Sequence, residues 1–442
     1  MKRLYPRGTL DISWRHLFEA LSDCLFGSHQ DKTAGAADLR EIPIGNAHSS
    51  VQGLITISVR SAFDLYLTEL NLPQGSEVVM SAVSISDMFR IPEAHGLKVI
   101  PVPLSFETLS LSAQDVERSI TEQTRLIVVA PLFGSRSCLT EICCIARRHG
   151  IIVIEDCAQA WRGALTLTGA LDVDDAQDAK ADVQMFSFGP IKTATALGGA
   201  FVLDKDHQRL LRISSIQTGY PEVAILRTLR RILRFIALKA LSSPLAFGVF
   251  VWLTSLFGAD YDELLFRATR GFQGSDLLEK LRHRPNRVQR NLVLRRLEEP
   301  HTDAIEARCN YAAEVLNMLP NGVVPGSEIQ IGLGPHDHVH WVLPCESREP
   351  GSLIQRLRSA GFDATQRGSS LVHFPMVVPE PVCSENQSRW LTPERLANLV
   401  YLPMFPEMGQ EQRTRMIDII RSHFGEQSDV DDNVSLQKNN PC

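Results

Sequence analysis

Two residues of this 442-residue chain have the types and spacing to do chemistry together, Asp156 and Lys192. Asp156 ends an apolar run, Ile151-Ile-Val-Ile-Glu-Asp-Cys-Ala-Gln-Ala160. Lys192 lies in Met185-Phe-Ser-Phe-Gly-Pro-Ile-Lys-Thr-Ala-Thr-Ala-Leu-Gly-Gly-Ala200, a Ser/Gly-rich turn between two short apolar runs. A lysine can form a Schiff base with an aldehyde, and an aspartate can keep a pyridine nitrogen protonated, so the pair suits pyridoxal 5'-phosphate (PLP). A phosphate is held well at a helix N-terminus, and Ser58-Val-Arg-Ser61 opens one whose amides, with Arg60, could hold the dianion.

The elements that must position these residues alternate strand and helix. Strands are expected at 54–58, 77–80, 97–102, 125–131, 151–155 and 199–203. Helices are expected at 14–26, 61–70, 114–119 and 139–149. Near-continuous apolar strands between helices indicate an α/β fold with a mostly parallel sheet covered on both faces, and ligands on such sheets gather at the carboxyl ends of strands. Helices at 282–297, 306–319 and 352–360, with a strand at 338–343, imply a smaller C-terminal α+β domain. The division is an N-terminal arm over 1–50, a large domain over 51–300, a small domain over 301–426 and a polar, disordered tail over 427–442.

Composition narrows the class. Apolar residues at 44% and charged ones at 22% are those of a soluble globular protein, and a net charge of −6 gives no reason to expect nucleic acid binding. The nine cysteines form no C-x-x-C pair, which suggests thiols in a reducing, cytoplasmic setting. No apolar stretch follows Lys2, Arg3 and Arg7, which argues against a signal peptide. One segment, a helical insertion at about 222–272, stands apart. Arg227, Arg230, Arg231, Arg234 and Lys239 precede 240–259, which carries no charge. Pro244 and Gly248 interrupt it, so a membrane crossing is poorly supported. A surface contact peripheral to the membrane and a buried hairpin or subunit interface both fit.

Several segments resemble the DegT/StrS family of PLP-dependent sugar aminotransferases. Gly75-Ser-Glu-Val-Val-Met80, Ala130-Pro-Leu-Phe-Gly134, Ile154-Glu-Asp-Cys-Ala-Gln-Ala160, Phe186-Ser-Phe-Gly-Pro-Ile-Lys192 with Gly198-Gly199, and Leu402-Pro-Met-Phe-Pro-Glu-Met408 are similar to that family's G-D-E-V-I-V, H-L-Y-G, I-E-D-A-A-Q-A, F-S-F-H-x-x-K…G-G and closing L-P-x-[FY]-P. The resemblance implies fold-type I, with a seven-stranded type of sheet and an obligate homodimer. It implies Lys192 as Schiff-base lysine and proton shuttle, Asp156 at the pyridine nitrogen, Gln159 near the cofactor's phenolic oxygen and Ser187 at the phosphate. An amino group would pass from a glutamate-like donor to a keto acceptor, most often a nucleotide-linked sugar. A lipid-linked acceptor handled at the membrane surface is the alternative that the uncharged insertion suggests.

There are departures. Val59 and Arg60 stand where relatives have Gly and Thr, and Ile85 stands where an aromatic ring stacks on the cofactor. Leu197 replaces a glutamate, and Arg282-His-Arg-Pro285 falls on an N-Y-R-M segment that reaches the neighbouring subunit's phosphate. The loop Thr166–Lys180, with Asp172, Asp174, Asp175 and Asp178, is an addition. These changes leave open a family dehydratase, against which Lys192 itself speaks, or a PLP-binding protein that has lost turnover. Asp156 as a helix cap and Arg60 as a solvated residue are the plainer readings. His336, His338 and His340 would share a strand face, as a metal site or as a polar face.

Overall fold

The buried strands fix where the site can be. The structure is a computed structural model that describes residues 3–27, 39–44, 49–136, 138–163, 180–269, 276–299, 301–320, 322–326, 338–376 and 389–438. His336 and residues 166–179 of the expected acidic loop lie outside the described residues. Helix α1 (Trp14–Phe26) and strands β1 (Leu39–Ile44) and β2 (Ser49–Thr56) lead into α2 (Val59–Leu70). Then come β3 (Glu77–Ser81), β4 (Val83–Ile85), α3 (Ser86–Ala94), β5 (Lys98–Val102), α4 (Ala113–Arg118), β6 (Thr124–Val129), α5 (Thr140–Arg148), β7 (Ile152–Asp156), β8 (Val183–Ser187) and β9 (Ala200–Asp204). The sheet has eight strands in the order β1-β2-β9-β8-β7-β6-β3-β5. From β8 to β5 the pairs are parallel; β8–β9, β9–β2 and β2–β1 are antiparallel. The expected arm is therefore partly sheet: β1 adds an edge strand beyond the seven.

The period of two along each strand sorts the core into layers. Val78, Met80, Leu126, Val128, Ile154 and Met185 pack on one face with α2 and α3, while Val79, Ile127, Val129 and Val153 pack on the other with α5. Both faces are covered, as a parallel sheet requires.

The chain continues through α6 (His207–Thr218) and the insertion, α7 (Ile225–Ala240), α8 (Pro244–Leu256) and α9 (Tyr261–Thr269), to α10 (Leu277–Leu281) and α11 (Arg287–Glu298). The basic helix expected from Arg282 begins five residues later. Pro285 disfavours helix for the residue before it, and Asn286 caps α11 in a capping box with Gln289. The small domain holds α12 (Thr302–Leu316), β10 (Leu343–Glu346), α13 (Pro350–Ala360), β11 (Leu371–His373), α14 (Pro393–Ala397), β12 (Leu399–Leu402) and α15 (Gln410–Lys438). The strand expected at 338–343 begins only at Leu343, because His340 takes a left-handed φ of 42° that an extended strand cannot hold. Residues 427–438 continue α15 instead of forming a disordered tail; no proline lies in that stretch to stop the helix.

Two contacts set the domains around one edge of the sheet. Strand β11 pairs with β4, Val372 opposite Ser84, beside the start of α3. The N-terminal arm ties the rest: Arg7 forks onto Asp363 (2.8 and 3.1 Å) and reaches Asp262 (2.7 Å), while Met404 N donates to Arg7 O (2.9 Å). Asn286 also donates from Nδ2 to Val223 O (3.0 Å) and Thr228 Oγ1 (2.6 Å), fastening α7 to α11. Asn286→Ala removes a cap and these buried bonds, and is expected to cost about 2–4 kcal/mol, as a lower urea midpoint with an unchanged slope.

Candidate active site

Lys192 sits on a short loop after β8, at the carboxyl edge of the parallel strands, where Asp156 ends β7 next door. Backbone bonds close the loop: Lys192 N to Gly189 O (3.2 Å), and Ala196 N and Gly198 N to Phe188 O (3.0 Å each). Its shape is costly, with Ala194 and Leu197 at φ of 56° and 63°. Gly199, at φ 101°, returns the chain to β9; a Cβ there would lie 2.6 Å from Val293 Cγ2, so glycine is required.

Burial governs the titration of both groups. It pulls the Lys192 ammonium down to about 8, Asp156 opposing and Arg60 adding to the shift. It pushes the Asp156 carboxyl up to about 6, against the Ala158 N–H (3.0 Å), Lys192 and Arg60. Asp156 is thus both a turn cap for Ala158 and the charge partner of Lys192. Arg60 is held in place by Asp87 (2.6 Å) and bears electrostatically on both.

The other expected residues divide. Ser58 caps α2 by accepting from Ser61 N (3.1 Å). Ser187 Oγ accepts from Gly189 N (3.3 Å), close beside Lys192. Gln159 Oε1 accepts from Phe133 N (2.6 Å) and from the indole of Trp341 (3.1 Å), so any donation to a ligand comes from its amide nitrogen. Ile85 is paired with Leu371 across β4 and β11. Ser61 and Arg282 are engaged by the fold. The Ser61 hydroxyl is fully buried and donates to Leu281 O (2.5 Å). Arg282 forks onto Asp64 (3.0 and 3.1 Å), which also binds His95. His338 and His340 stack at 3.8 Å as buried rings. Burial lowers both, His338 well below the usual range and His340 to about 4. Among the described residues no group of three or more His, Cys, Asp or Glu could hold a metal ion.

Three residues complete the site that the sequence does not single out. Trp341, from the segment before β10, lies 4.0 Å by its ring centroid from Lys192 Nζ, a cation–π distance. Asp11, from the arm, accepts from Ala194 N in the lysine loop (3.1 Å), from Arg296 Nη2 (3.0 Å) and from Arg308 Nη1 (3.1 Å). Arg308, on α12, has Nε and Nη2 buried without a hydrogen bond, two donors in want of an acceptor. A cavity of about 560 Å³ opens here, lined among others by Asp11, Lys192, Lys239, Arg308, Trp341 and Glu407. A second, largely apolar cavity of about 160 Å³ shares Leu10, Ile191 and Trp341 with it and runs against Leu238 and Phe247 of the insertion.

Asp11→Ala is expected to cost about 3–5 kcal/mol at pH 7, since it removes the carboxylate that Arg296 and Arg308 share and leaves the Arg308 guanidinium without a charge partner among the described residues, while Arg296 keeps Glu299. The two arginines hold the Asp11 carboxyl below its usual value despite burial. A carboxylate depressed in the folded state stabilises above its unfolded pKa, so the deficit shrinks as pH falls below about 4 in a pH series of urea melts. Labelling of Lys192 by a carbonyl reagent with reductive trapping is expected to rise with pH and reach half its maximum near pH 8, as the neutral amine appears.

Residues 46–218 match the model of the DegT/DnrJ/EryC1/StrS aminotransferase family. The pleiotropic regulatory protein of Geobacillus stearothermophilus is 27% identical over 165 residues, 36% of this chain and 42% of that protein. The 3-oxo-glucose-6-phosphate:glutamate aminotransferase of Bacillus subtilis (strain 168) is 30% identical over 167 residues, 38% of this chain and 35% of that protein. The matched part thus spans about two fifths of the length of these relatives. Over the whole chain the sugar aminotransferase CalS13 of Micromonospora echinospora aligns at a TM-score of 0.57 and 17% identity, covering 95% of this chain and 100% of that one, which shows the same fold. The matched residues 46–218 hold Asp156 and Ser187 and run on past Lys192, so the similarity to that family covers both central segments of the candidate site.

Proposed function

We propose that the chain is a PLP-dependent aminotransferase that moves an amino group from a glutamate-like donor to a keto acceptor, a sugar or nucleotide-linked sugar. The observation that carries this reading is the joint burial of Lys192 and Asp156 at the carboxyl edge of the sheet, with Arg60 within electrostatic reach of both. The relative named for glutamate and 3-oxo-glucose 6-phosphate supports the donor and the acceptor class. The donor set fits the cofactor: an amine for its aldehyde, a carboxylate for its ring nitrogen, and a guanidinium, the Ser58 and Ser187 hydroxyls and the N-terminus of α2 for its phosphate. When bound, PLP supplies the electron sink for charge that develops on the substrate carbon.

This chain's residues do the rest. Lys192, held down to about 8, is a proton carrier matched to neutral pH once it is free of the cofactor. Asp156 keeps the ring nitrogen cationic, and that cation in turn favours its ionised form. Trp341 supplies the aromatic surface beside Lys192 that Ile85 cannot. Arg308 and Lys239 make their side of the cavity suited to a carboxylate or phosphate. The protein is proposed to work as a homodimer, as the family resemblance implies.

A second reading of the acceptor has an observation of its own. The apolar cavity behind Ile191 and Trp341 would suit the hydrocarbon part of a lipid-linked acceptor.

The test is spectroscopic. Purified protein supplied with PLP should show the visible band of a lysine-bound cofactor, bleached by glutamate, and Lys192→Ala should lack the band. A band that no amino donor bleaches would leave a dehydratase or a protein without turnover, and no band would overturn the proposal. Arg308→Gln is expected to raise KM for the anionic substrate about 10- to 100-fold while kcat changes little, the size of one charged hydrogen bond.

A further inference from the structure

Helices α7 and α8 meet at a bend of 105°, and their outer faces are unlike those of a soluble helix. On α8 the exposed residues Leu245, Val249, Trp252, Leu253 and Leu256 fall at helical spacing on one side, and Phe257 follows at 83% exposed. Buried on that helix are only Phe247 and Thr254. The apolar stripe therefore points outward, and α8 carries no charge at all. On α7 the inner side buries Thr228, Ile232 and Phe235, while the outer side presents Leu226, Arg227, Arg230, Leu233 and Arg234. From Val223 to Ala259 there are five basic residues and no acidic one. Among the described residues Arg227, Arg230 and Arg234 have no carboxylate partner, and Arg227 and Arg234 bear repulsively on Arg231. No single helix among the described residues is long and apolar enough to cross a membrane.

A basic face next to an uncharged apolar one matches the surface of an anionic bilayer, phosphates outside and acyl chains below. It matches a second copy of itself poorly, since a two-fold contact would bring like charges together. We propose that the α7–α8 insertion seats the protein on an anionic lipid bilayer, with Arg227, Arg230 and Arg234 on headgroup phosphates and Trp252, Leu253, Leu256 and Phe257 among the acyl chains. The proposal deepens the lipid-linked reading of the acceptor, because the inner sides of the same helices wall the apolar cavity through Leu238 and Phe247.

Co-flotation of the full-length protein with vesicles tests it. Binding is expected to equimolar phosphatidylcholine–phosphatidylglycerol vesicles at low salt, to weaken as salt rises, and to be near absent with phosphatidylcholine alone. Arg227→Gln/Arg230→Gln/Arg234→Gln should lower the partition on the order of 100-fold, from about a fivefold step per basic residue near the surface. Trp252→Ser/Phe257→Ser should weaken it with the salt dependence kept. All variants should retain the visible band of bound PLP, which shows that they fold. Absence of flotation on anionic vesicles, flotation that the triple variant leaves unchanged, or a larger oligomer that Trp252→Ser/Phe257→Ser dissolves without any flotation would each overturn the docking surface; the last would assign the face to another copy. Flotation does not depend on turnover. A protein that floats but transfers no amino group keeps the docking surface and loses the aminotransferase reading.

Discussion

Desolvation of a lysine and an aspartate at one sheet edge is the constraint on which the rest depends. Burying two ionisable groups is unfavourable unless neighbours hold them, and here burial outweighs the mutual attraction of the pair: Lys192 is lowered and Asp156 raised. A loop carrying such a lysine cannot be held by itself. Two non-glycine residues with left-handed φ strain it, and its amide at Ala194 donates to a carboxylate from the distant N-terminal arm. Asp11 can play that part because Arg296 and Arg308 keep it ionised. The arm, α11, the small domain and the lysine loop therefore meet at one carboxylate.

That arrangement explains what the chain reveals in one dimension. Asp156, Gln159, Ser187 and Lys192 lie within two short segments whose strand-then-turn pattern is local, so strand ends and candidate chemistry could be read together. The parallel strands were legible for the same reason, since residues buried on both faces read as unbroken apolar runs. Trp341, Asp11 and Arg308 carry no such signal. Each sits in an irregular or helical stretch and reaches the site through contacts more than a hundred residues away in sequence. No local pattern encodes a carboxylate that will later meet two guanidinium groups.

Local pattern also failed where a side chain had a tertiary partner that the sequence does not display. Ser61 has the position of a helix N-terminal donor, but its hydroxyl is drawn to Leu281 O. Arg282 has the charge for a phosphate, but Asp64 takes its Nε and Nη2. His338 and His340 alternate as strand residues would, yet a left-handed turn at His340 folds one ring onto the other. In each case the side chain has a tertiary partner that its residue type does not display.

The insertion follows from the same logic of partners. Inner residues of α7 join the core, Lys239 donates to Leu10 O (2.9 Å), and Leu4 N donates to Pro244 O (3.2 Å), so the two helices are held by the arm that also carries Asp11. Ile191, the residue before the lysine, is on the wall of both cavities, polar on the Lys192 side and apolar on the insertion side. Trp341 stands between them, its indole on Gln159 and its face on Lys192. A molecule with a polar carbonyl end and an apolar remainder would find its two halves matched on the two sides of that ring. The outward apolar stripe of α8 would then face the phase from which such a molecule comes.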